Sequence, residues 1–170
     1  MGPKSVLARS VAGLLLACVA GACSGGGTKR SGPTKNREPT ESTGTCRLLT
    51  KDEVQSGLHI SVEGEGKASD TGAATNCDWS SGGRFVRLAV TRAKSPDDAA
   101  KTFDVLSQQP GADQVATLGD RAVYLAGPAG DTANSQLFVL KGTDMVALTY
   151  CCATREQLVD LSRKALGRLP

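Results

Sequence analysis

The sequence has few aromatic residues and a single histidine. Aromatics make up 4 % of its 170 residues. A nucleic-acid-binding surface combines a basic patch with aromatic side chains that stack on bases. From Cys46 onward the chain has 14 cations and 15 anions. The composition therefore argues against a nucleic-acid partner and predicts an aliphatic core of Leu, Val and Ala.

The sequence patterns of common catalytic and metal sites are also missing. A hydrolase triad needs a base beside its nucleophile; the one histidine, His59, is predicted to be half-buried and structural, and no serine lies in a G-x-S-x-G motif. The cysteines include no C-x-x-C spacing. Gly64 and Gly66 lack the third glycine of a dinucleotide loop, and the neighbouring Glu63 and Glu65 are predicted to be solvated. These absences predict a protein that is not an enzyme and that uses no metal or cofactor.

No apolar run in the sequence is long enough to be a permanent membrane span. The run at residues 11–19 is well short of the roughly 20 residues that a spanning helix needs. It follows the cations Lys4 and Arg9 and precedes small residues at 20–22, which is typical of a secretory signal. Residues 1–22 are therefore predicted to be an export signal peptide.

A cysteine follows this signal directly. The segment VAGAC, which ends at Cys23, resembles the lipobox of bacterial lipoproteins, whose cysteine receives a diacylglyceryl group on its sulfur. Cys18 is the alternative, because it has the more usual leucine three residues before it. Lipidation at Cys23 leaves an even number of cysteines, which suits disulfide pairing in an oxidising compartment. Cys23 is therefore the predicted site, and its acyl chains would anchor the protein on the outer face of the cell membrane.

A polar segment separates Cys23 from the rest of the chain. Residues 24–45 contain no Val, Ile, Leu, Phe, Met or other aromatic residue. Such a segment cannot bury enough surface to offset the entropy of ordering it, so it is predicted to be a disordered tether. As a flexible coil its 22 residues would span about 25 Å. The globular domain is predicted to occupy residues 46–170.

Three helix starts divide this domain. Thr50, with Glu53 three residues later, forms a capping box and predicts a helix that ends near Leu58. A second helix is predicted to start at Ser95, which precedes a proline, and a third at Thr154. The third helix has an apolar stripe formed by Leu158, Leu161, Ala165 and Leu169.

Strands are predicted between these helices. Apolar alternation and turn residues indicate strands at 59–62, 77–80, 84–91, 121–126, 136–141 and 144–152, with a polar loop at 63–75. The last two strands are apolar on both faces, which predicts a central position in the sheet. The element order α-β-β-β-α-β-β-β-α indicates the α+β class, an antiparallel sheet flanked by helices.

Three short motifs carry a resemblance. They are Cys46-Arg47-Leu48-Leu49-Thr50, Cys77-Asp78-Trp79 and Leu118-Gly119-Asp120-Arg121-Ala122. Behind a lipobox and a tether, their order resembles an actinobacterial lipoprotein family of unknown function with the pattern C-x-L-L-T, C-x-W and L-G-D-x-A. The similarity covers residues 46–170. It implies a PsbP-like α/β sandwich and no assigned activity.

The four cysteines of the domain are predicted to form disulfides. Cys46 and Cys77 would close one loop, with Trp79 packed in the core beside the bridge. Cys151 and Cys152 are adjacent, and two adjacent residues of a strand point to opposite faces. They would either form a vicinal bridge or pair separately with Cys46 and Cys77.

Two functions fit these features. The first is a membrane-anchored, non-catalytic binding or interaction module, whose partner is an envelope protein or an apolar or wall-derived ligand held between sheet and helices. The alternative is a redox-active or catalytic envelope protein that uses Cys151 and Cys152. An apolar cavity favours the first, and an exposed cysteine pair in an electropositive niche favours the second.

Overall fold

The computed structural model describes residues 44–127 and 134–170. The predicted signal peptide, both candidate lipidation sites, Cys18 and Cys23, and the tether up to residue 43 lie outside the described residues. A short 3-10 helix spans Gly44–Leu48, and the α-helices are α1 (Lys51–Leu58), α2 (Pro96–Ser107) and α3 (Arg155–Leu166). The strands are β1 (Glu63–Asp70), β2 (Thr75–Ser81), β3 (Arg84–Arg92), β4 (Ala112–Gln114), β5 (Arg121–Leu125), β6 (Asn134–Lys141) and β7 (Asp144–Cys151).

All three predicted helix starts are confirmed. Thr50 and Thr154 each accept a hydrogen bond from the third helical N–H and close a capping box, with Glu53 and Gln157 respectively. Ser95 accepts from the backbone N–H of Asp98 at 3.1 Å. These side chains satisfy backbone donors that have no partner within the helix, so the local sequence determines where each helix begins.

The sheet is antiparallel throughout and has seven strands in the order β1-β2-β3-β7-β6-β5-β4. One meander, β1 to β3, meets a second, β4 to β7, along the β3–β7 pair. The predicted α+β class and element order are confirmed, with β4 as an additional short strand. The last hairpin is central as expected, because β7 pairs with both β3 and β6.

Helices cover both faces of the sheet. On one face the 3-10 helix, α1 and α3 pack on residues such as Leu148 and Val139. On the other, α2 packs Phe103 against Val123 and Leu140. Since neighbouring strand residues point to opposite faces, Val139 and Leu140 belong to different cores. Within residues 44–127 and 134–170, none of the helices has the length and apolarity to span a bilayer.

The predictions for residues 59–62 and 63–75 are wrong. Residues 59–62 lie outside any strand, and the backbone N–H of Val62 donates to the Gln55 side chain at 3.1 Å rather than to a neighbouring strand. The supposed loop contains β1, which pairs only with β2 and has an irregularity between Glu63 and Lys67. An edge strand exposed to water needs no apolar face, so β1 carries no hydrophobic alternation.

Candidate functional site

The Cys46–Cys77 disulfide is present in the structure. Both cysteines are buried and tie the 3-10 helix to β2. Trp79 lies in the same core and is only 1 % exposed. It is therefore a packing residue, as predicted, and is not available as a platform for a ligand.

The residues that carry the family resemblance have structural roles. In the first motif Leu48 and Leu49 are buried and Thr50 caps α1. In the third, Gly119 has φ of 63°, and a Cβ there would lie 2.5 Å from the Leu140 carbonyl oxygen. These motifs explain how the chain folds and identify no reactive group.

A surface groove of about 420 Å³ lies where the 3-10 helix, the β1–β2 turn and the ends of β3 and β7 meet. We call it the charged groove; its charged lining residues are Arg47, Asp70, Arg92 and Asp144. Arg47 is exposed between two buried neighbours, Cys46 and Leu48, so the 3-10 helix and the disulfide hold its backbone at the rim.

Two ion-paired residues form part of the groove wall. The Arg92 guanidinium donates to the Asp144 carboxylate at 2.6 and 2.9 Å. This bidentate contact raises the pKa of Arg92, chiefly through its hydrogen bonds. Asp70 is the last residue of β1 and accepts from the Gly72 N–H at 2.7 Å. Among the described residues no side chain forms an ion pair with Arg47 or Asp70, so both charges remain available to a ligand.

The predicted vicinal bridge between Cys151 and Cys152, at the end of β7, is not formed. Cys151 and Cys152 are thiols, Cys151 buried and Cys152 exposed. Cys151 is the last strand residue, whereas Cys152 has φ of 67° and turns the chain out of the sheet. The separate pairing with Cys46 and Cys77 is excluded because those two are bonded to each other.

An arginine lies against both thiols. The Arg84 Nη1 donates to the Cys152 sulfur at 3.5 Å, and its guanidinium also contacts Cys151. Burial, followed by contact with Cys152, raises the pKa of the Cys151 thiol. We call the adjoining surface depression of about 300 Å³ the thiol hollow; its lining residues are Arg84, Phe85, Arg87, Asn134, Thr149 and Cys151. The thiols therefore adjoin an electropositive niche.

His59, Glu63 and Glu65 line neither the charged groove nor the thiol hollow. His59 is exposed at the C-cap of α1 with φ of 56°, so the prediction that it is half-buried is wrong. The helix ends at His59, which lies one residue beyond the buried stripe of Val54 and Leu58, so its side chain has no place in the core. Glu63 and Glu65 are exposed as expected, and Glu63 accepts from the Gly82 N–H at 3.2 Å.

The interface between α3 and the sheet is filled rather than hollow. Leu158 and Leu161 of α3 and Val146 and Leu148 of β7 are at most 1 % exposed and belong to one packed cluster. The charged groove and the thiol hollow both lie at the surface. Within the two described ranges, no group of three or more His, Cys, Asp or Glu side chains could hold a metal ion.

Sequence analysis did not identify the arginines of these sites. Arg47 and Arg84 carry no local signal that separates them from other surface cations. The β3–β7 pairing ends at Arg87 and Thr149, and Arg84 and Cys152 each lie three residues beyond that last pair, where they come into contact. Only the pairing of β3 with β7 reveals this contact.

Comparisons with known proteins identify no relative that could supply a function. No protein-family model matches the chain, and neither the curated proteins nor the solved structures give a match.

Proposed function

We propose that this chain is a membrane-anchored extracytoplasmic lipoprotein whose domain is a non-catalytic interaction module, with the charged groove as its ligand site. The anchor rests on the signal-like residues 1–22 and on the VAGAC segment that ends at Cys23. Gly44 and Thr45, predicted to be part of the tether, belong to the 3-10 helix, so the tether is limited to residues up to 43. The polar residues 24–43 would give the domain a reach of about 25 Å from the membrane. Such a chain captures a partner close to the envelope surface.

The charged groove is the observation that carries this proposal. Its volume of about 420 Å³ falls within the roughly 300–1,000 Å³ typical of small-molecule sites. Arg47 and Asp70 place opposite charges on its rim, and neither is neutralised by an ion pair among the described residues. A ligand that carries both a carboxylate and an ammonium group would match them.

The lining supports a wall-derived peptide rather than an apolar ligand. The lining combines charged side chains with apolar ones such as Leu48 and Val90, and Thr45 and Thr75 form a hydroxyl–hydroxyl hydrogen bond of 2.6 Å in it. An apolar molecule placed here would bury charges without partners, which is costly. A short stem peptide of the cell wall supplies a carboxylate, an ammonium group and amide hydrogen bonds.

The groove is arranged for binding more than for proton transfer. Arg92 and Asp144 hold each other with two short hydrogen bonds, so these two charges compensate each other within the groove wall. A binding role is also supported by the rim at Arg47. The disulfide and the buried leucines beside Arg47 hold this rim in place. A pre-organised rim lowers the entropy that is lost when a ligand binds.

A calorimetric titration with a soluble stem peptide tests this function. We expect the detergent-solubilised full chain to bind the peptide, and Arg47→Glu to weaken binding by about tenfold, as expected for loss of one charge-assisted hydrogen bond. Arg163→Glu makes the same charge change on α3, away from the groove, and should leave the affinity unchanged. Absence of peptide binding, or equal losses in the two variants, would contradict the proposal.

A further inference from the structure

We propose that Cys151 and Cys152 form a thiol–disulfide exchange site for small, carboxylate-bearing disulfides, with Cys152 as the attacking sulfur and Cys151 as the resolving sulfur. The site differs from the charged groove in its residues and its chemistry. It adds a reversible redox switch to the domain and does not depend on what the groove binds.

The two roles follow from exposure. Cys152 is exposed, whereas Cys151 is 5 % exposed. Exchange requires the attacking sulfur to approach a disulfide in line, which a buried sulfur cannot do with an external molecule. The Cys151 thiol contacts the Cys152 sulfur and has a raised pKa from burial. It is therefore suited to react second, with a sulfur that is already beside it.

The preference for a carboxylate follows from the arginines. Arg84 lies 3.5 Å from the Cys152 sulfur, and its side chain forms no ion pair with a carboxylate among the described residues. Arg87 also lines the thiol hollow, but Asp78 holds its guanidinium at 2.6 and 3.1 Å. Arg84 thus supplies the positive charge that an anionic reactant meets beside the thiols.

The proposed reaction has two balanced steps. The Cys152 thiolate, having given its proton to water, attacks a disulfide R–S–S–R; a Cys152–S–S–R bond forms and one R–S⁻ leaves. Cys151 then loses its proton to water and its sulfur attacks the Cys152 sulfur, which releases the second R–S⁻ and closes the Cys151–Cys152 bridge. The cysteine pair loses two electrons, and the external disulfide gains them.

The resulting bridge is expected to be strained and readily reopened. Adjacent Cα atoms are about 3.8 Å apart across a trans peptide, whereas disulfides usually join Cα atoms about 4.4–6.8 Å apart. Strained bridges have more oxidising potentials and are the labile, regulatory ones. The bridge would therefore form only while external disulfide is in excess over thiol, and excess thiol would reduce it again.

Peptide mapping after exposure of the full chain to oxidised glutathione tests the two roles. Trypsin releases both cysteines in the single peptide 142–155, because no Lys or Arg separates Lys141 from Arg155. We expect this peptide to lose two hydrogen atoms and to regain them with reduced glutathione. Cys151→Ala, with Cys151→Ser as a second variant if the first is unstable, should retain one glutathione on Cys152. Cys152→Ser should not react.

The same experiment with cystamine, which carries ammonium groups, tests the charge preference. Oxidised glutathione should react about two- to fivefold faster than cystamine, and Arg84→Gln should remove that difference while the control Arg163→Gln keeps it. Three results would each overturn the proposal: a stable glutathione adduct on the native chain, retained reactivity in Cys152→Ser, or a faster reaction with cystamine than with oxidised glutathione.

Discussion

Glu53 is the residue at which the start of α1 meets the segment that follows α3. Its carboxylate accepts from the Thr50 N–H at 2.9 Å and from the Arg168 guanidinium at 2.6 and 2.8 Å. Arg168 also donates to the Leu48 carbonyl oxygen at 3.0 Å. The hydrogen bond from Arg168 is the largest cause that lowers the pKa of Glu53 to about 2 from an ordinary value of 4.5. One carboxylate thus serves both as helix cap and as ion-pair partner.

Replacing Arg168 with Gln should lower the free energy of unfolding at pH 7 by about 1–2 kcal/mol. This value allows for solvent screening, because the Arg168 side chain is 40 % exposed. Since folding lowers the pKa of Glu53, its stabilisation is complete above about pH 4.5 and is lost as the pH falls toward 2.

Urea unfolding at a series of pH values measures this effect. The difference in unfolding free energy between the native chain and Arg168→Gln should be largest above pH 4.5. It should shrink toward pH 2 to the part contributed by the Leu48 hydrogen bond. Arg163→Gln removes only an exposed pair with Asp160 and should show little difference at any pH. A difference that stays constant with pH would contradict the role assigned to Glu53.

At the scale of elements, β1 shows how a polar segment becomes a strand. Its residues are almost all exposed, and it pairs with β2 alone. Gly66 is its one half-buried residue and lies over the disulfide. A Cβ at this position would lie 2.5 Å from the Cys77 sulfur and 2.7 Å from Trp79 Nε1. The strand can lie this close to the core only because residue 66 has no side chain.

Gly66→Ala should therefore destabilise the domain by about 1–3 kcal/mol, the usual cost of overpacking a filled site. Neither the bridged Cys77 nor the buried Trp79 can move away easily. Thermal unfolding followed by Trp79 fluorescence measures the loss, and Lys67→Ala at the exposed next position is the control. Equal melting temperatures for the two variants would show that β1 lies farther from the core.

At the scale of the whole molecule, one covalent link ties the first element to the sheet. The Cys46–Cys77 bridge spans a sequence separation of 31 residues and holds the 3-10 helix, which forms one rim of the charged groove. Replacing both cysteines with Ala should lower the free energy of unfolding by roughly 3–4 kcal/mol through the entropy of the unfolded chain. Urea unfolding checks this value, and reduction of the native chain should produce a loss of similar size. Unchanged stability would contradict a stabilising role for the bridge.

Membrane attachment through Cys23 is a prediction that concerns the whole chain. Replacing Cys23 with Ala should block lipidation and signal removal, because the acceptor sulfur is gone. Intact mass of the membrane-extracted native chain should begin at Cys23 and include a diacylglyceryl group. Cys18→Ala is the matched control and should be processed normally. Normal processing of Cys23→Ala, with the lipid on Cys18, would reverse the assignment.

Local sequence was sufficient wherever a few neighbouring residues determine the structure. Capping at Thr50, Ser95 and Thr154 predicted three helix starts, and two strands that are apolar on both faces predicted the central hairpin. The α+β class followed from their order. The edge strands β1 and β4 escaped prediction because each is held by backbone pairing with a single neighbour, and such pairing leaves no hydrophobic pattern.

Neither the charged groove nor the thiol hollow could be predicted from the sequence, because each is assembled only in the tertiary structure. The sequence by itself determined the helix starts and the central strands, and it predicted the Cys46–Cys77 bridge but not the state of Cys151 and Cys152. It did not determine that Arg84 lies against Cys152, because 68 residues separate them and only the β3–β7 register brings them together. The charged groove likewise combines Arg47, Asp70 and Asp144, which are distant along the chain. Side-chain caps act within one turn, whereas a surface site requires the whole sheet to be assembled before its charges meet.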